Sequence, residues 1–166
     1  MSHVRLSNVT KKFGTVTAVD ALNLEIAKGE CFSMLGPSGC GKTTTLRMVA
    51  EFEDLSAGEI YVADRLISSP QRNYYLPPEK RNFGMVFQAF AVWPHLSVYE
   101  NVAFPLRIRN FSADEIDKRT KDALRSTNLL READNSPANL SGGGKQRVAL
   151  ARALAINPDV MLLDEP

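Results

Sequence analysis

A glycine-rich segment that ends in lysine and threonine carries the clearest chemistry in this sequence. Residues 36–43, GPSGCGKT, match the pattern G-x-x-x-x-G-K-[ST]. Glycines at this spacing let successive backbone N–H groups converge on phosphate oxygens, and the dipole of a following helix adds to the attraction. Lys42 is expected to bridge the β- and γ-phosphates of a nucleotide, Thr43 to ligate Mg²⁺ and Thr44 to reach the α-phosphate. The other residues expected to contact the nucleotide are Gly36, Ser38, Gly39, Cys40 and Gly41.

A second candidate site is the pair of carboxylates, Asp164 and Glu165, that follows the apolar run Val160–Leu163. Taken alone, this pattern is equally typical of a buried strand that ends in acidic residues. Together with an upstream phosphate loop, it predicts that Asp164 holds Mg²⁺ through water and that Glu165 polarises the attacking water. The two roles need two residues, because a carboxylate occupied by the metal cannot also accept a proton from the nucleophile.

The third candidate is a predicted helix start, LSGGGKQR, at residues 140–147. Ser141 is the expected N-cap, and the glycines after it leave several backbone N–H groups for an anion. A flexible helix cap without a ligand is the alternative. This helix is expected to end at Asn157-Pro158 and to bury Val148, Ala151, Leu154 and Ala155.

The elements that must position these residues follow from hydrophobic periodicity and turn residues. Alternating apolar and polar residues over the first 35 residues, with turns at Phe13-Gly14 and Lys28-Gly29, predict β-strands. The short run Cys31–Leu35, which leads into the phosphate loop, is predicted to be a buried strand. The remaining predictions are a helix at 43–52, a hairpin of 60–62 with 66–67, a strand at 83–87, a strand at 160–163, and a helix at 113–127 with Ser112 and Glu115 as a capping box.

The composition is that of an ordinary globular chain and excludes several classes of protein. Hydrophobic residues make up 44% and charged residues 23%, and the net charge of +1 argues against a nucleic-acid partner or an anionic membrane surface. No apolar run approaches the roughly 20 residues that cross a bilayer. The N-terminus lacks the features of a secretory signal, which favours a cytoplasmic location. Cys31 and Cys40 are too few to indicate a disulfide framework or a cysteine metal site.

In this order and spacing, the three motifs closely resemble those of the ATP-binding-cassette (ABC) ATPases, and the resemblance extends over essentially the whole chain. It implies that Phe13 stacks on adenine, although an aromatic residue that covers the hairpin turn would give the same pattern. It also implies that Gln88 ligates the metal and takes part in catalysis beside Lys42 and Glu165. The sequence departs from the family at Gly144, where glutamine is common, and the extra glycine should weaken the helix start by roughly 1 kcal/mol.

The fold implied by the resemblance is α/β: a P-loop NTPase core with an antiparallel β lobe, mostly from residues 1–30, and a helical subdomain. The chain 1–166 would be one partial nucleotide-binding domain. It would divide into 1–88, the β lobe and P-loop core; 89–140, the helical subdomain; and 141–166, the helix that begins at Ser141 and the strand that ends in the acidic pair. Since the family continues well beyond the acidic pair, we expect a chain truncated at its C-terminus. Alone, such a chain is expected to fold poorly and to hydrolyse ATP negligibly.

The function implied by the resemblance is binding and hydrolysis of ATP, with Mg²⁺, to power a membrane importer for sugars, iron or polyamines. Ser141, Gly142 and Gly143 of one cassette would contact ATP held by a second cassette. Residues 88–101 would dock membrane-spanning subunits, with His95 as a contact, although their apolar side chains could instead be core of the helical subdomain. The protein would be cytoplasmic, at the inner face of the cell membrane. The alternatives are a non-hydrolysing nucleotide-binding fragment and a soluble ABC ATPase without a transport role.

Overall fold

The computed structural model describes residues 2–165, which separate into two compact units. The first unit runs to Arg81 and the second begins at Asn82. Within the described residues, the first unit combines an antiparallel sheet with a helix, and the second combines a parallel pair of strands with helices. Each unit is described by itself below.

The first unit is built on strands β1 (Ser2–Phe13), β2 (Val16–Ala27), β3 (Ala57–Val62), β4 (Arg65–Ser69) and β5 (Tyr74–Tyr75). They form one antiparallel sheet in the spatial order β2-β1-β3-β4-β5. Both predicted hairpins are confirmed, with turns at Phe13-Gly14 and at Ala63-Asp64. The antiparallel sheet therefore extends well beyond the first 30 residues.

A bulge in β1 explains why its buried residues do not alternate strictly. Val4 and Leu6 are buried two positions apart, whereas the next buried side chain, Val9, follows after three. The pairing with β2 shifts register between Leu6 and Val9, and Asn8 in this interval has φ 50°. The extra residue turns Val9 back to the buried face.

The helix of the first unit, α1 (Lys42–Ala50), confirms the helix predicted after the phosphate loop and buries Met48, Val49 and Ala50 near its end. Glu51 follows in a left-handed conformation with φ 62°. Its carboxylate forms a buried ion pair with Arg81, whose side chain is fully buried. Burial lowers the pKa of Arg81 to about 10. The pair joins the end of α1 to the last residue of the unit.

The predicted strand at Cys31–Leu35 is wrong. These residues form no regular structure, and Phe32 and Leu35 are exposed by 44% and 93%. A strand is stabilised by a neighbour that accepts and donates its backbone hydrogen bonds. No strand within residues 2–165 pairs with this segment. An apolar run without such a partner remains irregular.

The second unit pairs β6 (Phe83–Val86) with β7 (Val160–Leu163) in parallel, from Phe83 opposite Val160 to Val86 opposite Leu163. Its helices are α2 (Val98–Ile108), α3 (Ala113–Ser126) and α4 (Gly142–Ala155). The three helices meet in one apolar cluster of buried residues: Val98, Val102, Leu106, Ala123, Leu124, Leu129, Val148, Ala151 and Ala155. A second face of α4, at Ala149 and Ala153, packs on Val86 of β6. Helix α4 therefore packs against both the strand β6 and the other helices of this unit.

The helices start where their caps predict, with two differences in detail. Ser112 and Ser141 are N-caps as expected, but the Glu115 carboxylate accepts from the Ser112 hydroxyl rather than from its backbone N–H. Leu154 is 38% exposed, so its predicted burial is wrong. It lies about 120° around the helix from Val148, outside both packed faces of α4. Among residues 2–165, no helix combines the length and apolar character that crossing a membrane requires.

Candidate functional site

The loop before α1 can adopt its shape only with glycine at Gly41. Gly39 and Gly41 have φ of 84° and 92°, a region that side-chain-bearing residues rarely occupy. A Cβ atom built on Gly41 would lie 2.6 Å from the carbonyl oxygen of Ala18. Because the obstacle is backbone, it cannot move aside as a flexible side chain could. The glycine therefore lets the start of α1 approach β2 closely.

The N-terminus of α1 presents backbone donors toward the loop. Gly41 is the N-cap and has no side chain that could cap the first turn, and its carbonyl already accepts from the amide and hydroxyl of Thr45, at 2.8 and 2.9 Å. The first amides of a helix have no carbonyl partner within that helix, and the helix dipole places partial positive charge there. An anion on this side of the loop would meet both the amides and the dipole.

The ammonium group of Lys42 lies against the loop. It donates to the carbonyl oxygens of Gly36 and Pro37, at 2.7 and 2.9 Å, and contacts the Cys40 sulfur at 3.6 Å. These contacts place a positive charge beside the amides at the start of α1. A phosphate that entered the loop would have to exchange with one of these acceptors, since an ammonium group has three hydrogens to donate.

Phe13 lies at the end of β1 and is 46% exposed. The Lys11 ammonium lies 4.8 Å from the ring centroid and is itself held by the Glu53 carboxylate at 2.7 Å and the Asp54 carbonyl at 2.8 Å. Lys11 is almost completely buried. One face of the Phe13 ring is therefore covered by a fixed cation, and a stacking partner would use the other.

In the second unit, the structure brings Gln88 and Glu165 into direct contact. The Gln88 side-chain amide donates to a Glu165 carboxylate oxygen at 2.6 Å. The contact follows from the parallel pairing of β6 with β7, because the carboxyl ends of parallel strands meet at the same edge of a sheet. Asp164, just before Glu165, is buried, and its amide donates to the Val86 carbonyl at 3.0 Å. Thus the acidic pair and the glutamine, far apart in sequence, occupy one edge.

The predicted anion site at the start of α4 is open. Ser141 accepts from the Gly144 amide at 3.2 Å, and a Cβ on Gly142 or Gly143 would meet nothing within 4 Å. Gly144 differs from them, because a Cβ there would lie 2.9 Å from the Cβ of Leu140. The glycine that departs from the family pattern therefore allows a close approach of the preceding residue.

The segment 88–101 is partly packed into the second unit. Val92 and Tyr99 pack against the helical cluster, and the Trp93 ring lies 4.7 Å from that of Phe104. Pro94 and His95 are exposed. The segment therefore contributes both to the core and to the surface.

Two side chains that hold this segment were not singled out from the sequence. Asn101 is fully buried and bonds the backbone of residues 93–97, and Arg152 bonds the carbonyls of Phe90 and Ala91. Their partners lie up to 62 residues away, so no local pattern marks them. The capping box of Ser97 and Glu100 does have such a pattern, because serine and glutamate stand three residues apart.

Comparison with known proteins identifies the family. The family profile described as "ABC transporter" matches residues 19–166. The chain belongs to the ABC transporter family. The matched range contains the phosphate loop, Gln88, the start of α4 and the acidic pair, whereas Phe13 precedes it.

Curated ABC relatives match nearly the whole chain. A trehalose/maltose import ATP-binding protein of Thermococcus litoralis is 48% identical over 100% of this chain and 45% of its own length. A spermidine/putrescine import ATP-binding protein of Rubrobacter xylanophilus is 52% identical over 98% of this chain and 42% of its own length. This chain therefore spans less than half the length of the curated relatives that it matches.

A solved ABC cassette shares the fold. The dimeric structure of the cassette MJ0796, in a post-hydrolysis state bound to ADP and Pi, matches with a TM-score of 0.83 and 38% identity. The match covers 98% of this chain and 74% of that chain. The α/β fold with an antiparallel β lobe and helices is therefore that of an ABC cassette.

Proposed function

We propose that this chain is the ATP-binding part of a protein that hydrolyses ATP to power the import of a solute across a membrane. The observation that carries the proposal is the glycine loop at residues 36–43, with the Lys42 ammonium at the loop carbonyls and the uncapped start of α1 beside it. Relatives named for import of trehalose/maltose, spermidine/putrescine and glucose match at 45–52% identity. Because these solutes differ, the proposal extends to import and not to one solute.

Binding of the nucleotide is assigned to the phosphate loop and to Phe13, both in the first unit. The amides of residues 36–44 and the Lys42 ammonium would neutralise the phosphates, which carry most of the charge of ATP. Phe13 would stack on adenine with the ring face opposite Lys11. A cation behind the ring favours this arrangement, because it keeps the side chain from turning into solvent.

The oxygen donors of this chain fit Mg²⁺. We assign Thr43, Gln88 and Asp164 to the metal, by a hydroxyl, a carboxamide and a carboxylate, and hard cations prefer oxygen ligands. Among residues 2–165, no cluster of three or more His, Cys, Asp or Glu side chains occurs. When bound, Mg²⁺ would neutralise charge that develops on the phosphate oxygens.

Glu165 is assigned as the base that accepts a proton from the attacking water. A carboxylate used in this way must be oriented, and the Gln88 amide that donates to it at 2.6 Å supports such a role. Gln88 keeps its carboxamide oxygen for a second partner while its nitrogen holds Glu165. Lys42 would stabilise the charge on the transferred phosphate.

The proposed assembly contains a second cassette and membrane-spanning subunits. Ser141, Gly142 and Gly143 would contact ATP bound by a second cassette, and the open space around both glycines leaves room for phosphate oxygens. The solved ABC cassette MJ0796 is described as a dimer. Membrane subunits would dock on the exposed part of the segment 88–101, around His95, and would hold the protein at the inner face of the cell membrane.

Phosphate release by the Glu165→Gln variant of the complete protein tests the catalytic part of this proposal. The change keeps the size of the side chain and removes its basicity, so turnover should fall by at least about 100-fold while Mg-ATP binding remains. Glu115→Gln, on the exposed face of α3, is the matched control and should turn over like the parent. Turnover near the parent rate in Glu165→Gln would remove Glu165 from the reaction.

A further inference from the structure

Arg152 reaches from α4 to the backbone that follows Gln88. Its guanidinium donates to the carbonyl oxygen of Ala91 at 2.7 Å and to that of Phe90 at 3.4 Å. The same group lies 4.5 Å from the centroid of the Trp93 ring. The guanidinium of Arg152 therefore contacts this loop at three places, two backbone carbonyls and an aromatic ring.

The backbone that Arg152 holds has an unusual conformation. The Phe90 amide donates to the Phe87 carbonyl at 3.0 Å, so Gln88 and Ala89 are the central residues of a turn. Phe90 and Ala91, at the exit of that turn, have φ of 57° and 47°. Residues other than glycine rarely adopt this left-handed conformation unless their surroundings hold them in it.

We propose that Arg152 is a positioning residue that fixes the exit of the Gln88 turn and thereby holds the Gln88 side chain against Glu165. The entry of the turn is fixed by β6, which pairs with β7. Without Arg152, only one end of the turn is held, and the 2.6 Å contact between Gln88 and Glu165 loses its support. The consequence for catalysis rests on the proposed function, whereas the effect on the turn does not.

The next part of the loop is anchored separately. The Asn101 side chain accepts from the Trp93 amide at 2.8 Å and donates to the carbonyls of Trp93, Leu96 and Ser97. These bonds do not involve Arg152. Loss of Arg152 should therefore release residues 90 and 91 and leave residues 93–97 in place.

Two substitutions at Arg152 separate the effect of its positive charge from that of its planar shape. Arg152→Lys keeps the positive charge but loses the planar fork that can bond two carbonyls and stack on a ring. Arg152→Met keeps much of the apolar stem and removes every donor. Arg125→Met is the matched control, because Arg125 is an exposed arginine on α3 that pairs with Asp122.

Hydrogen exchange of the Phe90 amide in the full-length protein measures the turn directly. We expect exchange about tenfold faster in Arg152→Lys and Arg152→Met, as for loss of a charged hydrogen bond, with unchanged exchange at the Trp93 amide. Trp93 is the only tryptophan of these 166 residues, so in a chain of this length its fluorescence emission should also shift in both variants and not in Arg125→Met. Parent-like Phe90 exchange in Arg152→Lys would overturn the proposal, whether or not the protein hydrolyses ATP.

Steady-state kinetics then test the consequence for catalysis. A positioning role predicts that kcat falls about tenfold in Arg152→Lys while KM for ATP stays within about twofold, because the phosphate loop is untouched. A parent-like kcat despite faster Phe90 exchange would overturn the link to Gln88. A parent protein without ATP turnover would instead refute the proposed function, and the exchange result would still decide the role of Arg152 in the turn.

Discussion

Replacing Arg81 with methionine should destabilise the first unit more than any change at its surface. Arg81 donates to the carbonyl oxygens of Leu76, Val49 and Ile67, at 2.6, 2.7 and 3.0 Å, and pairs with the Glu51 carboxylate. Its side chain is fully buried, and that of Glu51 is 8% exposed. Methionine fills a similar volume but leaves the carboxylate and three carbonyls without this donor.

The expected loss of folding stability in Arg81→Met follows from the charge of Glu51 that stays buried. Removing one partner of a buried ion pair costs about 3–5 kcal/mol, mainly because the other charge stays buried without compensation. At about 2–4 °C per kcal/mol for a chain of this size, the melting temperature should fall by roughly 6–20 °C. Removing the charge of the partner as well should recover part of this loss. Glu51→Gln with Arg81→Met is therefore expected to be more stable than Arg81→Met alone.

Thermal and urea unfolding of the parent, both single variants and the double variant measure the effect as a double-mutant cycle. Arg72→Met is the control, because the Arg72 side chain is 62% exposed and its ion pair with Glu59 should contribute less than about 1 kcal/mol. A double variant as unstable as the sum of the two single variants would refute the reasoning. So would an Arg81→Met protein within about 1 kcal/mol of the parent.

Three further predictions concern the loop, a cap and pH. Gly41→Ala should weaken Mg-ATP binding measured by calorimetry and lower stability, because its Cβ would meet a backbone oxygen at 2.6 Å; binding like the parent would contradict the loop geometry. Ser97→Ala should cost about 1 kcal/mol in urea unfolding, as for loss of an N-cap, and no loss would contradict the capping box. The hydrogen bond from the Tyr61 hydroxyl lowers the pKa of Glu59 from its ordinary value, so the stability it contributes is present at neutral pH and lost as pH falls through the lowered pKa. The parent should therefore exceed Glu59→Gln in stability at pH 7 and approach it at acid pH below the lowered pKa; a constant difference would refute this.

Elements with a local signal could be predicted from the sequence. The caps at Ser112 and Ser141 and the hairpin turn at Ala63-Asp64 depend on residues within a few positions of one another. The strand expected at residues 31–35 failed because a strand also depends on a partner, which composition does not reveal. Leu154 failed because α4 packs on two faces, and a sequence pattern does not say which parts of the helix each neighbour covers.

In the candidate site too, some residues have a local sequence signal and others do not. The phosphate loop could be recognised because its function needs consecutive backbone amides, and these require glycines at fixed spacing. The contact of Gln88 with Glu165 joins residues 77 positions apart, and it depends on the pairing of β6 with β7. Arg152 and Lys11 act through contacts that only the folded chain creates, so the sequence offered no pattern for either.

Equilibrium binding of Mg-ATP to the Lys42→Ala protein tests the central claim most directly, because the whole proposal depends on a nucleotide in this loop. Lys80→Ala, an exposed lysine of the same unit, is the matched control. The account predicts that Lys42→Ala loses at least about tenfold in affinity, or 1.4 kcal/mol, while Lys80→Ala binds like the parent. A folded Lys42→Ala protein that binds Mg-ATP as tightly as the parent would contradict it.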